Sequence, residues 1–113
     1  MPLSALTDPE RQVILQCLRA AADGPFFPDW EFQTLFGVSR SDVRAVASAW
    51  PNVDDSTERV TLAIANSLNN LVGYPHGQDN IWPLHISVAP DEVARILSKW
   101  SGQQVASYFN GLQ

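Results

Sequence analysis

WEFQTLFGVSRSDVRAVASAW, residues 30 to 50, holds two apolar patterns of helical period separated by the break Gly37-Val38-Ser39. Phe32, Leu35 and Phe36 form the first pattern, and Val43, Val46, Ala47 and Trp50 form the second. Spacing of i, i+3, i+4 and i+7 places apolar side chains on one face of a helix. Asp29 is expected to cap the first helix and Gly37 to end it, while Ser39 with Asp42 opens the second. Pro51 stops that helix by disfavouring helical geometry at Trp50.

The same signals recur outward from this stretch. Thr7-Asp8-Pro9-Glu10 reads as a capping box with proline in the first turn, followed by Val13, Ile14, Cys17, Leu18 and Ala21 on one face and a stop at Gly24-Pro25. Asp55 with Glu58 opens the longest helix, expected to run to about Val72 with Gly73 as its cap. Leu84, Ile86 and Val88 alternate with His85 and Ser87, which predicts a half-buried strand. No second segment alternates comparably, so this stretch is an extended connector or pairs with an irregular one. Pro90 fits a first turn, with Val93, Ile96, Leu97 and Trp100 behind it; Ser101 with Gln104 then caps a final helix carrying Val105, Tyr108, Phe109 and Leu112. DVRAVASAW (42 to 50) and EVARILSKW (92 to 100) also align without gaps. Amphipathic helices share a narrow pattern menu, so chance explains the echo better than duplication. The expected fold is mainly α, a compact single domain over residues 1 to 113, with about five or six short helices and one short extended segment near 84–88.

Composition supports one packed core. The 113 residues are 45% apolar and 17% charged, a balance that excludes the disordered, highly charged class. Cys17 is the single cysteine, so no internal disulfide can form, and its place on an apolar face predicts a buried structural thiol. The start MPLSALTDPER has neither a basic region nor an apolar run, so no signal or transit peptide is expected. Residues 60 to 78 are free of Asp, Glu, Lys and Arg, but Thr61, Asn66, Ser67, Asn69 and Asn70 interrupt them too often for a membrane span. A soluble cytoplasmic protein is the expectation. The formal charge of −5 opposes binding to nucleic acid or anionic lipid, which requires clustered Lys and Arg.

The uncharged stretch IANSLNNLVGYPHGQ, residues 64 to 78, raises the question of function. On a helical wheel Val60, Ile64, Leu68, Leu71 and Val72 gather on one side, and Asn66, Asn69 and Asn70 face away from them. Asparagine is a mediocre helix former, and solvent faces usually carry charges, so something is expected to cover these amides: the chain itself or a partner. Tyr74-Pro75-His76-Gly77 reads as a tight turn with a candidate cis bond. Tyr74, His76 and Trp82 would rim a contact surface beside Asn66, Asn69 and Asn70. Catalytic and metal chemistry leaves little trace. His76 and Asp79 offer two metal ligands at most, His85 reads as an ordinary exposed residue, and no nucleophile motif or phosphate-binding glycine pattern occurs. No catalytic residue, metal or cofactor is assigned.

The 30 to 50 stretch also resembles a helix-turn-helix unit, with Phe32 and Phe36 on the first helix, Gly37 at the turn, Val38 beneath it and Ser39 as cap. The resemblance implies a recognition helix presenting Arg40, Ser41 and Arg44, with Ala45, to the major groove of DNA. Gln33 stands where that family prefers a small residue, and three acids oppose two arginines between Asp29 and Trp50.

Three functions follow from the residues. The favoured one is a small acidic protein-binding or regulatory module without catalytic activity, its partner a protein, with a basic one suited to the acidity. An inhibitor or immunity-like protein fits that description by composition. The second is a DNA-binding regulator, and the third a small-molecule pocket around Tyr74 and His76.

Overall fold

Two helices carry the fold. The structure, a computed structural model, describes residues 3–111, with side chains through residue 102. A 3-10 turn at Leu3–Ala5 leads into α1 (Asp8–Asp23), α2 (Asp29–Phe36), α3 (Arg40–Ala49), α4 (Glu58–Gly73), α5 (Trp82–His85) and α6 (Pro90–Gly111). α1 packs on α3, α4, α5 and α6, while α4 packs on α1, α2, α3 and α6, so the two form the centre around which the others lie. A single cluster fills the interior, with Ile14, Cys17, Leu18, Phe36, Val43, Ala63, Ile64, Leu68, Val93 and Ile96 fully buried. The mainly helical, compact architecture is the one the periodicity predicts.

The cap residues explain most boundaries. Thr7 accepts from the Glu10 N–H while the Glu10 carboxylate accepts from the Thr7 N–H, and Ser39 and Asp42 do the same for α3. Gly37 ends α2 in the left-handed region, φ 71°, where a side chain would be strained. At Gly24 the constraint is proximity: a Cβ would sit 2.6 Å from the Ala20 carbonyl oxygen, whose hydrogen bond closes α1.

Five expectations are corrected here. α2 starts at Asp29 behind Pro28 and has no side-chain cap, so Asp29 is its first residue and not its cap. The strand over 84–88 does not form, and no strand occurs among the described residues; Trp82–His85 is one turn of helix and Ile86 after it is extended, φ −129° and ψ 126°. Proline at the second position of that turn favours the helix, and a lone strand has no neighbour for its backbone groups. α4 starts at Glu58 behind Thr57, and Asp55 is no cap. Its buried carboxylate instead accepts from the Leu3 N–H at 3.0 Å and the Trp100 indole N–H at 3.2 Å, tying the first turn to α6. α6 runs through Ser101 without a break, and the Ser101 hydroxyl donates back to the Leu97 carbonyl at 2.6 Å. The side chains of Gln104, Val105, Tyr108 and Phe109, and all of Leu112, lie outside the described residues. Finally, the cis X-Pro bond is Trp50–Pro51, not Tyr74–Pro75.

α6 buries Val93, Ile96 and Trp100, packs on α4 and α1, and is also held to α1 by charge. The buried Glu10 carboxylate accepts from Lys99 at 2.8 Å and Arg95 at 2.9 Å. Hydrogen bonding from Lys99, then from the Thr7 backbone, lowers its pKa from 4.5 to about 2 against a smaller opposing desolvation. The folded state therefore binds fewer protons than the unfolded chain between these values. The Glu10 contribution to stability should be complete above pH 4.5 and disappear as pH falls to about 2. Urea unfolding followed from pH 7 to 2.5 should show this loss, and Glu10→Gln should be less stable at pH 7 with a flatter acid limb.

Candidate functional site

The loop Gly24–Pro28 carries Phe26 and Phe27, both buried, and the predicted contact residues assemble around them. His76 meets Phe26 edge-on with centroids 4.9 Å apart, Trp82 meets it at 6.1 Å and His85 at 5.4 Å. Phe27 meets Phe36 at 5.1 Å and Tyr74 at 5.5 Å. Tyr74, His76 and Trp82 thus converge as the sequence predicts, but as the wall of an aromatic corner.

Their polar atoms are engaged inside the molecule. The His76 Nδ1 accepts from the Gln78 N–H at 3.0 Å, so Nε2 carries the proton and donates to the Leu71 carbonyl at 3.0 Å. Trp82 is buried and its indole donates to the Val88 carbonyl at 2.7 Å. The Tyr74 hydroxyl donates to Glu31 at 2.7 Å, a carboxylate contact that raises the tyrosine pKa.

The asparagines close the other end of the same corner. Asn66 donates to the Phe36 carbonyl at 2.7 Å, and Asn70 to the Leu35 carbonyl at 3.1 Å. These carbonyls belong to the last turn of α2, where helix geometry provides no acceptor with a partner. Amides fill the need without the desolvation cost of a charge. Asn66 and Asn70 are therefore clamps between α4 and α2, and of the three only Asn69 faces outward.

The arginines of the helix-turn-helix-like corner are engaged in the same way. Arg40 donates to the carbonyls of Ala21 at 3.1 Å, Ala22 at 3.0 Å and Phe27 at 2.9 Å, pairs with Asp29 at 3.0 Å, and lies 4.4 Å over the Phe32 ring. Arg44 donates to Asp23 at 2.9 Å and the Ala22 carbonyl at 3.3 Å. Both guanidinium groups cap α1 where its dipole is negative. Ser41 is exposed beside them. Among the described residues Arg11, Arg95 and Lys99 are also ion-paired, and Arg19 and Arg59 stand outside these pairs.

Chemistry for a cofactor or nucleophile is thin. Among the described residues no group of three His, Cys, Asp or Glu side chains is placed to hold a metal ion. Burial pushes the Cys17 thiol up to about 12, which keeps it protonated in the core. A shallow cleft of about 270 Å³ is lined by Asp79, Trp82, Pro83, Ala89 and Pro90, without His76. Small-molecule pockets usually hold about 300–1,000 Å³.

What the molecule does present is Trp30, 82% exposed, with Leu84 at 81%. Trp30 carries no assignment from the sequence, and Leu84, expected on the apolar side of the 84–88 strand, lies outside instead. A signal existed for Trp30: it lies two residues before Phe32, about 200° around the helix from the buried stripe. α2 is braced by Arg40 at its first residue, Tyr74 at Glu31 and the two asparagines at its end, so the indole is displayed on a fixed support.

Two substitutions check this bracing. Arg40→Ala should lower stability by about 2–3 kcal/mol, the range for losing hydrogen bonds to a charged group, and Arg40→Lys should recover little because one ammonium cannot span the carbonyls of Ala22 and Phe27. Asn66→Ala should cost about 1 kcal/mol. In hydrogen exchange it should expose α2 amides more than those of α1.

No family model, curated protein or solved structure matches this chain.

Proposed function

We propose that the protein is a small, acidic, non-catalytic module that binds another protein in the cytoplasm. The observation carrying this reading is Trp30, a solvent-facing indole on a helix braced from three other elements. Tryptophan offers a large contact area with few rotatable bonds, and such rigid aromatic anchors dominate binding energy at interfaces. Nothing inside the chain requires an indole there, since the buried stripe of α2 is complete with Phe32 and Phe36. The reading moves the contact surface from the asparagine face to the outer face of α2. No described helix is long and apolar enough to cross a membrane, which suits a module working in water. The engagement of Arg40 and Arg44 with carbonyls at the end of α1 favours this reading over DNA binding, because phosphate contacts need those guanidinium groups free.

Affinity capture from native lysate, with and without nuclease and with Trp30→Ala in parallel, tests the reading. One stoichiometric protein should survive nuclease, and its affinity for Trp30→Ala should fall about tenfold or more. Recovery of DNA, or an unchanged partner set with Trp30→Ala, would refute this role for α2.

A further inference from the structure

The chain carries no lysine or arginine between Arg59 and Arg95, so Asp79 has no cation near it in sequence. Folding does not supply one: Asp79 is exposed, and no ion pair among the described residues engages it. Asp79 lines the cleft of about 270 Å³ together with Trp82, Pro83, Ala89 and Pro90. The walls are fixed by hydrogen bonds. The Trp82 indole N–H donates to the Val88 carbonyl at 2.7 Å, and the Trp82 main-chain N–H to the Asp79 carbonyl at 3.4 Å, so α5 is tied to both sides of the cleft. The Ala89 carbonyl accepts from the Glu92 N–H at 3.0 Å and the Val93 N–H at 3.3 Å, which seats Ala89 and Pro90 on α6. Each proline ring locks one backbone dihedral and carries no N–H, so these walls offer apolar surface with little freedom to rearrange.

We infer that this cleft binds a primary alkylammonium group, its stem against Trp82, Pro83 and Pro90 and its charged nitrogen at the Asp79 carboxylate. The site does not include Trp30, and the inference goes beyond the protein-binding reading. Any occupant of the cleft takes water from the carboxylate, and a carboxylate that loses water without gaining a partner is destabilised. A neutral apolar guest leaves that cost standing. An anion adds repulsion, because no Lys, Arg or His lines the cleft. An ammonium offsets the cost with a charge-assisted hydrogen bond. A divalent metal needs several oxygen ligands, and among the described residues no group of three His, Cys, Asp or Glu side chains is placed to hold one. The alkyl stem follows from the walls, since apolar stems lie along apolar surface while the charged head stays near water. The volume falls just below the about 300 Å³ at which pockets for drug-sized ligands begin, which suits one short chain.

The probes are butylamine, 1-butanol and butyrate, titrated at pH 7 into the whole protein while the indole N–H resonance of Trp82 is followed. Butylamine is charged at this pH, as a lysine amine is. It should bind about threefold or more tighter than 1-butanol, with butyrate weakest. Asp79→Asn should remove the preference for the amine and leave the affinity for the alcohol, and about 0.5 M salt should narrow the same preference. Ala89→Leu, which fills the cleft from one wall, should weaken both ligands and decides the matter if Asp79→Asn does not fold. Glu58→Gln is the control, an exposed carboxylate at the opposite end of α4 from the turn that leads to Asp79. Equal binding of butylamine and 1-butanol would overturn the inference. So would a Trp82 signal that none of the probes moves, amine binding unchanged by Ala89→Leu, or a loss with Glu58→Gln as large as with Asp79→Asn. Nα-acetyl-lysine amide separates the two sources of such a group: affinity equal to that of butylamine assigns the cleft to a lysine side chain of another protein, and markedly weaker binding assigns it to a free amine.

Discussion

The Arg40 guanidinium closes the open end of α1, and the arrangement of the molecule depends on that closure. A helix ends with carbonyls that have no partner within it. Ala21 and Ala22 would carry such oxygens into the packed corner between α1 and α3, and Arg40 bonds both. The same group bonds the Phe27 carbonyl and so fixes the loop that inserts Phe26 and Phe27 among the aromatic residues. It also lies over Phe32 and pairs with Asp29, which orients α2. One side chain thus sets a helix end, a loop and the entry of the next helix.

The other ties follow the same logic. Glu10 joins α1 to α6, Asp55 joins the first turn to Trp100, and Asn66 and Asn70 join α4 to the end of α2. Each polar side chain satisfies groups contributed by a different element, so each bond links parts that apolar packing alone would let slide. The choice of group tracks its partner. Glu10 meets two cations, where a carboxylate is favoured, whereas Asn66 and Asn70 meet neutral carbonyls, where an uncharged donor is easier to bury. The uncharged run in α4 is explained by this requirement.

Much of the secondary structure was legible in the residues. The boxes at Thr7 and Ser39, the stop at Gly37 and the stripes through Val43, Val46, Val93 and Ile96 all stand where the local pattern puts them. The misreadings share a cause. Alternation at Leu84, Ile86 and Val88 suited a strand, but no neighbouring strand existed to complete it, and one helical turn satisfied the backbone internally. Asp55 had the residue type and spacing of a cap, yet Trp100 and Leu3 arrived from distant parts of the chain and took its carboxylate. Ser101 matched a cap because the box pattern with Gln104 does not distinguish a new helix from the interior of an old one.

The candidate site was legible only in part. Tyr74, His76 and Trp82 do come together, while Asn66, Asn70, Arg40 and Arg44 bond carbonyls within the molecule and the most exposed aromatic is Trp30. The sequence by itself determined most of the helices and of the core, because capping and helical periodicity act over three or four residues and are written in side-chain types. Only the tertiary structure decided where the long polar side chains end and which aromatic remains outside. Asn66 and Asn70 reach carbonyls 30 and 35 residues away, and Arg40 reaches its nearest one across 13. A main-chain carbonyl is common to every residue and leaves no mark in the sequence, so its partner is known only once the helices have packed.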